Sequence, residues 1–507
     1  MIDTTKIASP KITRPRLHRV VARERLYAQI AEAGTPIVWI CGPPGAGKTT
    51  LAASYLDARK LSSVWYQIDS GDEDPATFFY YMGVAAARNG VVKRNPLPLL
   101  PSESPSDIAA FARLYFRKLF ERLPRPIVLV IDNYQDASGS AFETLMRQAF
   151  SEVPDDVSVL VLSLSSPPSF LARMVANRAI SLVDAEDIRF TREESRQVVL
   201  SKLPLDEGVV DSLHERSGGW AAGLVLMAEH ARRASSRDLA ALAYSQEAVF
   251  DYFAGEILSR ATPANQRILM LTSALRQVTV ALADAMSGGR GSEPLLDYLY
   301  RHHLFTDRRH GAGLTYQYHV LFRAFLRARA ATQLSFDECA EAAGRAGLIL
   351  EADNQVDDAV VLYLDSREWA AATRLILRHA HDLYAQGRWR TLLDWIAAMP
   401  AEVVEAAAWL GYWVGACQVW INPPTAREKL EQAFEHFARL GDRAGQILAA
   451  GSLSRACILD AKWHPLDRWI EALQSLLERD TAGLAPQTLA IGFSRLLYAT
   501  LARQPQN

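Results

Sequence analysis

A glycine-rich turn carries the clearest chemistry in the sequence. The stretch "CGPPGAGKTTLAASY" (Cys41 to Tyr55) places Gly42, Gly47, Lys48 and Thr49 in the spacing G-x-x-x-x-G-K-[ST], after an apolar run and before a helix-like one. Gly42, Gly45 and Gly47 let the backbone curl so that N–H groups point inward at phosphate oxygens, and the helix beginning near Lys48 adds its positive end. The candidate phosphate cradle is therefore Gly42, Pro43, Gly45, Ala46, Gly47, Lys48, Thr49 and Thr50. Lys48 supplies a flexible cation for the β and γ phosphates, and Thr49 a hydroxyl for Mg²⁺.

A magnesium ion also needs a carboxylate. "IVLVIDNYQ" delivers Asp132 at the tip of an apolar run, which makes Thr49 and Asp132 the candidate metal pair. The alternative is an ordinary strand-end turn residue, but the upstream phosphate loop favours the metal role. The next residue is Asn133, which can orient water but cannot take a proton. Hydrolysis would then be slow at most, or would depend on another carboxylate such as Asp69, at the carboxyl end of a strand where ligands bind in open α/β sheets. Asp132, Asn133 and Asp69 are the catalytic candidates. Asp72, Glu73 and Asp74, beside Asp69, read as capping and solvation.

The elements that must position these groups follow from periodicity. Residues 1 to about 185 alternate short apolar runs with helix-like segments, the rhythm of a parallel sheet buried on both faces. Strands are expected at "PIVWIC" (Pro36 to Cys41), "SVWYQID" (Ser63 to Asp69), "PIVLVID" (Pro126 to Asp132) and "VSVLVLSL" (Val157 to Leu164). Asp74 before Pro75 starts a helix, and Thr191 with Glu194 has capping-box spacing. Helices continue through "GGWAAGLVLMAEHARRA" and "EAVFDYFAGEIL", where Val249, Phe250, Phe253, Ile257 and Leu258 lie on or beside one face. Residues 262 to 330 combine helices with a hairpin whose tip is His310-Gly311-Ala312-Gly313, the composition of a winged helix. Beyond Ser335 short helices are punctuated by Gly387, Pro400, Pro423, Pro424, Gly441 and Pro465, as in a degenerate array of antiparallel helical hairpins.

The fold class is thus an α/β P-loop domain with a parallel sheet, then a helical lid, a winged helix and a TPR-like α-helical solenoid. The boundaries are an N-terminal arm to residue 35, the P-loop domain at 36–187, the small helical domain at 188–260, the winged helix at 261–332 and the repeats at 333–507. Several domains are also what 507 residues predict at roughly 150 per domain.

Composition narrows the partners. With 55 basic against 57 acidic side chains no overall field draws the chain to nucleic acid or anionic lipid. One basic stretch, Lys6 to Arg25, holds Lys11, Arg14, Arg16, Arg19, Arg23 and Arg25; it is either a solvated arm or a phosphate-facing or inter-subunit segment. Cys41, Cys339, Cys417 and Cys457 have no metal-ligand spacing and read as buried thiols of a cytoplasmic protein. The apolar run from Ala406 to Ile421 is shorter than the ~20 residues a bilayer span needs. No membrane association is expected.

Read together, these motifs resemble a family: the STAND signalling ATPases and, within them, the MalT-type regulators of the LuxR group. The resemblance is carried in order by "RPRLHRVVARERL", "CGPPGAGKTTL", "VWYQIDSGDEDPATFF", "LVIDNYQ", "IRFTREES", "SGGWAAGLVLMA" and "YQYHVLFRAFL", covering residues 12 to 330. It implies a switch in which ATP or ADP, with Mg²⁺, is held between the P-loop domain and the winged helix, and in which a small-molecule or protein inducer on the repeats favours ATP exchange and self-association. The first segment, with Arg23, would pack on the adenine side. His319 would approach the β-phosphate through a charge-assisted bond; otherwise it packs beneath the wing. Asn133 replaces the family's second acid, and Leu164 stands where relatives carry a sensor arginine. The family's helix-turn-helix has no counterpart in the sequence, and no DNA-reading element is expected. The alternative function is a non-cycling, nucleotide-bound scaffold whose repeats dock a protein, while a small-molecule kinase would need a substrate lid that the winged helix and solenoid do not offer.

Overall fold

The computed structural model describes residues 10–18, 20–88, 97–100, 107–200, 207–231, 254–255, 258, 261–301, 304–310, 314–478 and 483–504. These form two compact units, one of residues 1–99 and 106–362, the other of 100–105 and 363–507. The segment "EAVFDYFAGEIL" falls almost wholly outside the described residues, as do the hairpin-tip residues 311–313.

In the first unit the short strand β1 (Pro15–Arg16) precedes five parallel strands: β2 (Ile37–Cys41), β3 (Ser62–Gln67), β4 (Ile127–Asp132), β5 (Ser158–Ser163) and β6 (Ile180–Val183). Their spatial order is β3-β4-β5-β2-β6. All residues of β2 and β4 are buried, as continuous apolar runs require when helices cover both faces. Trp39, Trp65, Phe78, Phe79 and Phe116 are fully buried around this sheet. The edge strand β6 was not legible in the sequence: with only Ile180 and Val183 buried, "ISLV" carries too little apolar signal.

Local signals explain the helix starts. Asp74 accepts from the Ala76 N–H at 3.2 Å and the Thr77 hydroxyl at 3.0 Å, and opens the helix Pro75–Arg88. The Thr191 hydroxyl accepts from the Glu194 N–H at 3.1 Å while the Glu194 carboxylate accepts from the Thr191 N–H at 3.0 Å, a reciprocal cap on the helix Arg192–Leu200.

Further along this unit lie the helices Pro263–Thr272, Val280–Ser287 and Glu293–Arg301, then the hairpin of β7 (Thr306–His310) and β8 (Leu314–Tyr318), and the helix Val320–Gln333. The hairpin gains a third strand, since β1 pairs antiparallel with β7 through Pro15↔Arg309 and Arg16↔Arg308. Part of the basic N-terminal stretch is therefore packed structure: Lys11, Pro15 and Arg23 are buried, while Arg16 and Arg25 are exposed. Lys11 is 8% exposed, and Arg14 pairs with Asp57 at 2.5 Å.

The described elements of the second unit are all helices. Trp369–Ala385, Trp389–Ala397, Ala408–Gln418, Pro423–Leu440, Arg443–Leu459, Trp463–Glu478 and Pro486–Arg503 are its longer helices. Polar ties span successive turns: Trp409 Nε1 donates to Asp442 at 3.0 Å, and Arg427 pairs with Asp460 at 2.8 Å. The apolar run Ala406–Ile421 yields the 11-residue helix Ala408–Gln418, and no described helix is long and apolar enough to cross a membrane. The cysteines are free thiols, three of them buried.

Candidate nucleotide site

Strand β2 ends at Cys41, and the loop that follows reaches Gly47, the left-handed N-cap (φ +87°) of the helix Lys48–Ala58. No side chain caps this helix. The N–H groups of its first turn, which have no partner within the helix, are left to face an anion. Gly45 is also left-handed (φ +75°), and a Cβ there would lie 2.8 Å from the Ala222 Cβ and 3.2 Å from the Trp220 ring. The loop touches the small helical segment that closely. Trp220 Nε1 donates to the Pro44 carbonyl at 3.0 Å, and the Ala222 N–H donates to the Gly45 carbonyl at 3.0 Å.

Lys48 folds back over the loop, its Nζ donating to the carbonyls of Gly42 at 2.7 Å and Pro43 at 3.0 Å. Burial lowers its pKa to about 8 against the opposing pull of Asp132. The Thr49 hydroxyl donates to the Asp132 carboxylate at 3.2 Å. Asp132 is 2% exposed. Its burial raises the pKa to about 6, resisted first by the charge of Arg309, then by the bonds from Thr49 and the Asn133 N–H and by Lys48. Asn133 adopts a left-handed conformation (φ 56°) that aims its N–H at Asp132 Oδ1, 3.0 Å away.

His319 caps the helix Val320–Gln333, its Nδ1 accepting from the Leu321 N–H at 3.4 Å. The proton of a neutral ring then sits on Nε2. Burial, followed by repulsion from Lys48, lowers its pKa to about 4. Without a nucleotide the imidazole is therefore uncharged near neutral pH, with one N–H to donate.

Two further predicted residues are engaged by other side chains. Arg23 donates to the Arg189 carbonyl at 2.9 Å and to Glu194 at 3.1 Å, with its guanidinium 4.6 Å from the Phe190 ring centroid, so it ties the N-terminal segment to the helical segment. Asp69 lies two residues beyond Gln67, the β3 partner of Asp132, yet its carboxylate is bound by Lys11 at 2.9 Å and Arg276 at 2.8 Å. Two cations on one carboxylate hold it as an ion-pair centre and lower its pKa against burial. Leu164 is 42% exposed. Sequence reasoning missed Trp220, whose only signal is the glycine pair before it, and Arg309, whose buried guanidinium donates to the Thr13 carbonyl at 2.9 Å. Nothing in the hairpin sequence separates Arg309 from its neighbour Arg308.

The donor set suits the expected ligand. A hydroxyl and a carboxylate in contact, both hard oxygen donors, would hold Mg²⁺, and Lys48 with the first-turn N–H groups would hold phosphate.

Comparison with known proteins agrees with this architecture. Residues 31–174 match an AAA domain family, and residues 254–338 match the MalT winged helix domain. The chain is 28% identical over 410 residues to the HTH-type transcriptional regulator MalT of Cronobacter sakazakii, covering 78% of this chain and 45% of that one. It is similar to MalT over most of its length. The MalT of Serratia proteamaculans is 27% identical over 441 residues, 83% of this chain and 48% of the relative. The chain thus spans about half the length of the curated relatives it matches. Among solved structures, the STAND protein with a tetratricopeptide repeat sensor from Pyrococcus horikoshii aligns with 96% of this chain and 81% of its own at 15% identity and a TM-score of 0.47.

Proposed function

We propose that this chain is an adenine-nucleotide-controlled regulator, holding ATP or ADP with Mg²⁺ in the loop Gly42–Thr49 and passing the state of that site to transcription through a partner or a longer form of the chain. The observation that carries the reading is the Thr49–Asp132 contact at 3.2 Å beside Lys48, with the winged-helix segment supplying His319 and Arg309 to the same neighbourhood. Gly42, Pro43, Gly45, Ala46, Gly47, Lys48, Thr49 and Thr50 form the phosphate cradle; Thr49 and Asp132 hold the metal; Asn133 orients water. The neutral His319 donates from Nε2 to a phosphate oxygen. The helical repeats take up an inducer, and exchange of ADP for ATP favours self-association. Four free thiols suit the reducing cytoplasm.

Two features support a second reading, a nucleotide-bound scaffold that does not cycle. Asn133 has no proton-accepting group, and Leu164 carries no charge toward a γ-phosphate. Single-turnover hydrolysis separates the two: the switch predicts slow but measurable turnover, the scaffold none. Native mass spectrometry of the purified chain tests both at their common root. A retained adenine nucleotide, absent in Lys48→Ala, is the expected result; a nucleotide-free wild type indifferent to added Mg-ADP would overturn the proposal.

A further inference from the structure

Asp69 joins parts of the first unit that are far apart in sequence. Its Oδ1 accepts from Lys11 Nζ at 2.9 Å and from the Gly71 N–H at 2.9 Å, while its Oδ2 accepts from Arg276 Nη1 at 2.8 Å. Lys11 bridges on to Asp72 Oδ2 at 2.8 Å, and that carboxylate also accepts from the Asp69 N–H at 2.8 Å and the Tyr66 hydroxyl at 2.7 Å. The Lys11 ammonium lies 5.4 Å from the Tyr66 ring centroid and 5.1 Å from that of Tyr81. On the other side Arg276 Nε lies 3.9 Å from Asp358, and the neighbouring Asp357 accepts from the Tyr81 hydroxyl at 2.8 Å. The N-terminal segment, the turn after β3, the loop before the helix Val280–Ser287 and the start of the helix Val356–Asp365 therefore meet through one set of charges.

Its position ties it to the nucleotide site. The Ile68 N–H donates to the Asp132 carbonyl at 2.8 Å, so Asp69 begins one residue beyond the hydrogen-bonded end of the strand pair that carries the candidate metal ligand. Such networks contribute little net stability, because desolvation offsets the attraction, but removing one partner leaves an uncompensated buried charge. A cluster of this kind selects one arrangement of the parts it joins. Lys11 and Asp72, at 8% and 0% exposure, form its inner half, while the Arg276 side chain at 38% forms the half open to water.

We propose that Asp69 is the hub of an electrostatic latch in which Arg276 and Asp358 hold the winged-helix segment and residues 356–362 against the nucleotide-binding sheet, so that nucleotide leaves only when the Asp69–Arg276 contact parts. The latch rests on the nucleotide reading above, and its test has an arm that does not. In the full-length chain, release of N-methylanthraniloyl-ADP chased by excess ADP is followed by stopped flow, and amide hydrogen exchange over residues 69–74 and 275–283 is measured without nucleotide. Arg276→Gln speeds both about tenfold, equivalent to about 1.4 kcal/mol. Asp358→Asn, a milder change on the same side, speeds both about threefold, and Arg276→Lys restores most of the wild-type behaviour. The double variant Asp69→Asn/Arg276→Gln is no faster than the faster single one, because the two residues act through one contact. Exchange in Arg276→Gln within twofold of wild type overturns the latch whether or not nucleotide binds, as does unchanged release from a chain that binds the probe. A wild type that binds no probe overturns the nucleotide reading alone, and the exchange arm then decides the latch.

Discussion

At the phosphate loop, burial works against both charges the site needs. Lys48 is lowered to about 8 and Asp132 raised to about 6, each partly restored by the other. A divalent cation between Thr49 and a phosphate would relieve Asp132 of that burden, so Thr49→Ala should keep ADP binding without Mg²⁺ but lose most of the gain that Mg²⁺ brings, as read by titration with and without chelator. His319 gives a pH test. Its folded pKa of about 4 lies below the ordinary 6.5, so the unfolded chain binds more protons between those values. The stabilisation is full above about 6.5 and is lost as pH falls through about 4; its size is on the order of 1–3 kcal/mol, reduced by the ring's partial exposure. Asp72 and Asp132, both raised, slope the other way in an overlapping window, so the informative quantity is the difference between wild type and His319→Gln. Wild-type melting should rise more steeply than the variant's from pH 4.5 to 6.5, and parallel curves would exclude a buried neutral His319. Thr49, Lys48 and Asp132 were legible because spacing and strand ends announce them. The destination of Arg23 and Asp69 was not, because a sequence shows where a charge lies along the chain and never which distant charge will reach it.

Elements were legible in proportion to their periodicity. The long apolar runs gave β2, β3, β4 and β5 close to their observed limits, and the caps at Asp74 and Thr191 gave two helix starts. Strand β1 escaped because two residues between Arg14 and Leu17 have no period, and its strand character comes wholly from pairing with β7. The contact between the phosphate loop and the helix Ala221–Ala231 is the other element-level feature that pattern could not supply. It makes a stability prediction. Trp220 is 5% exposed, and Trp220→Ala should cost about 3–5 kcal/mol in denaturant unfolding of the first unit, with weakened nucleotide binding. Trp220→Phe, which removes the bond to the Pro44 carbonyl while keeping most of the packing, should cost about 1 kcal/mol. Equal losses in the two variants would mean that ring volume alone matters and that the loop does not depend on the indole N–H.

For the whole molecule, the order of segments was legible: the parallel sheet, the helical stretch, the hairpin with its helices and the helical second unit follow one another as the patterning implies. How charge joins the segments of the first unit emerged only in three dimensions, where Lys11 and Arg276 converge on one carboxylate. A switch of the proposed kind predicts a change in mass. Sedimentation velocity with Mg²⁺ and a non-hydrolysable ATP analogue should show a larger species than with Mg-ADP, and identical distributions at tens of micromolar chain would favour the scaffold. Calorimetric titration of Mg-ADP into nucleotide-stripped full-length chain, wild type beside Lys48→Ala, tests the central claim most directly. One saturable site per wild-type chain, with binding lost in the variant, is predicted; no heat of binding in either chain, or equal affinity in both, would contradict it.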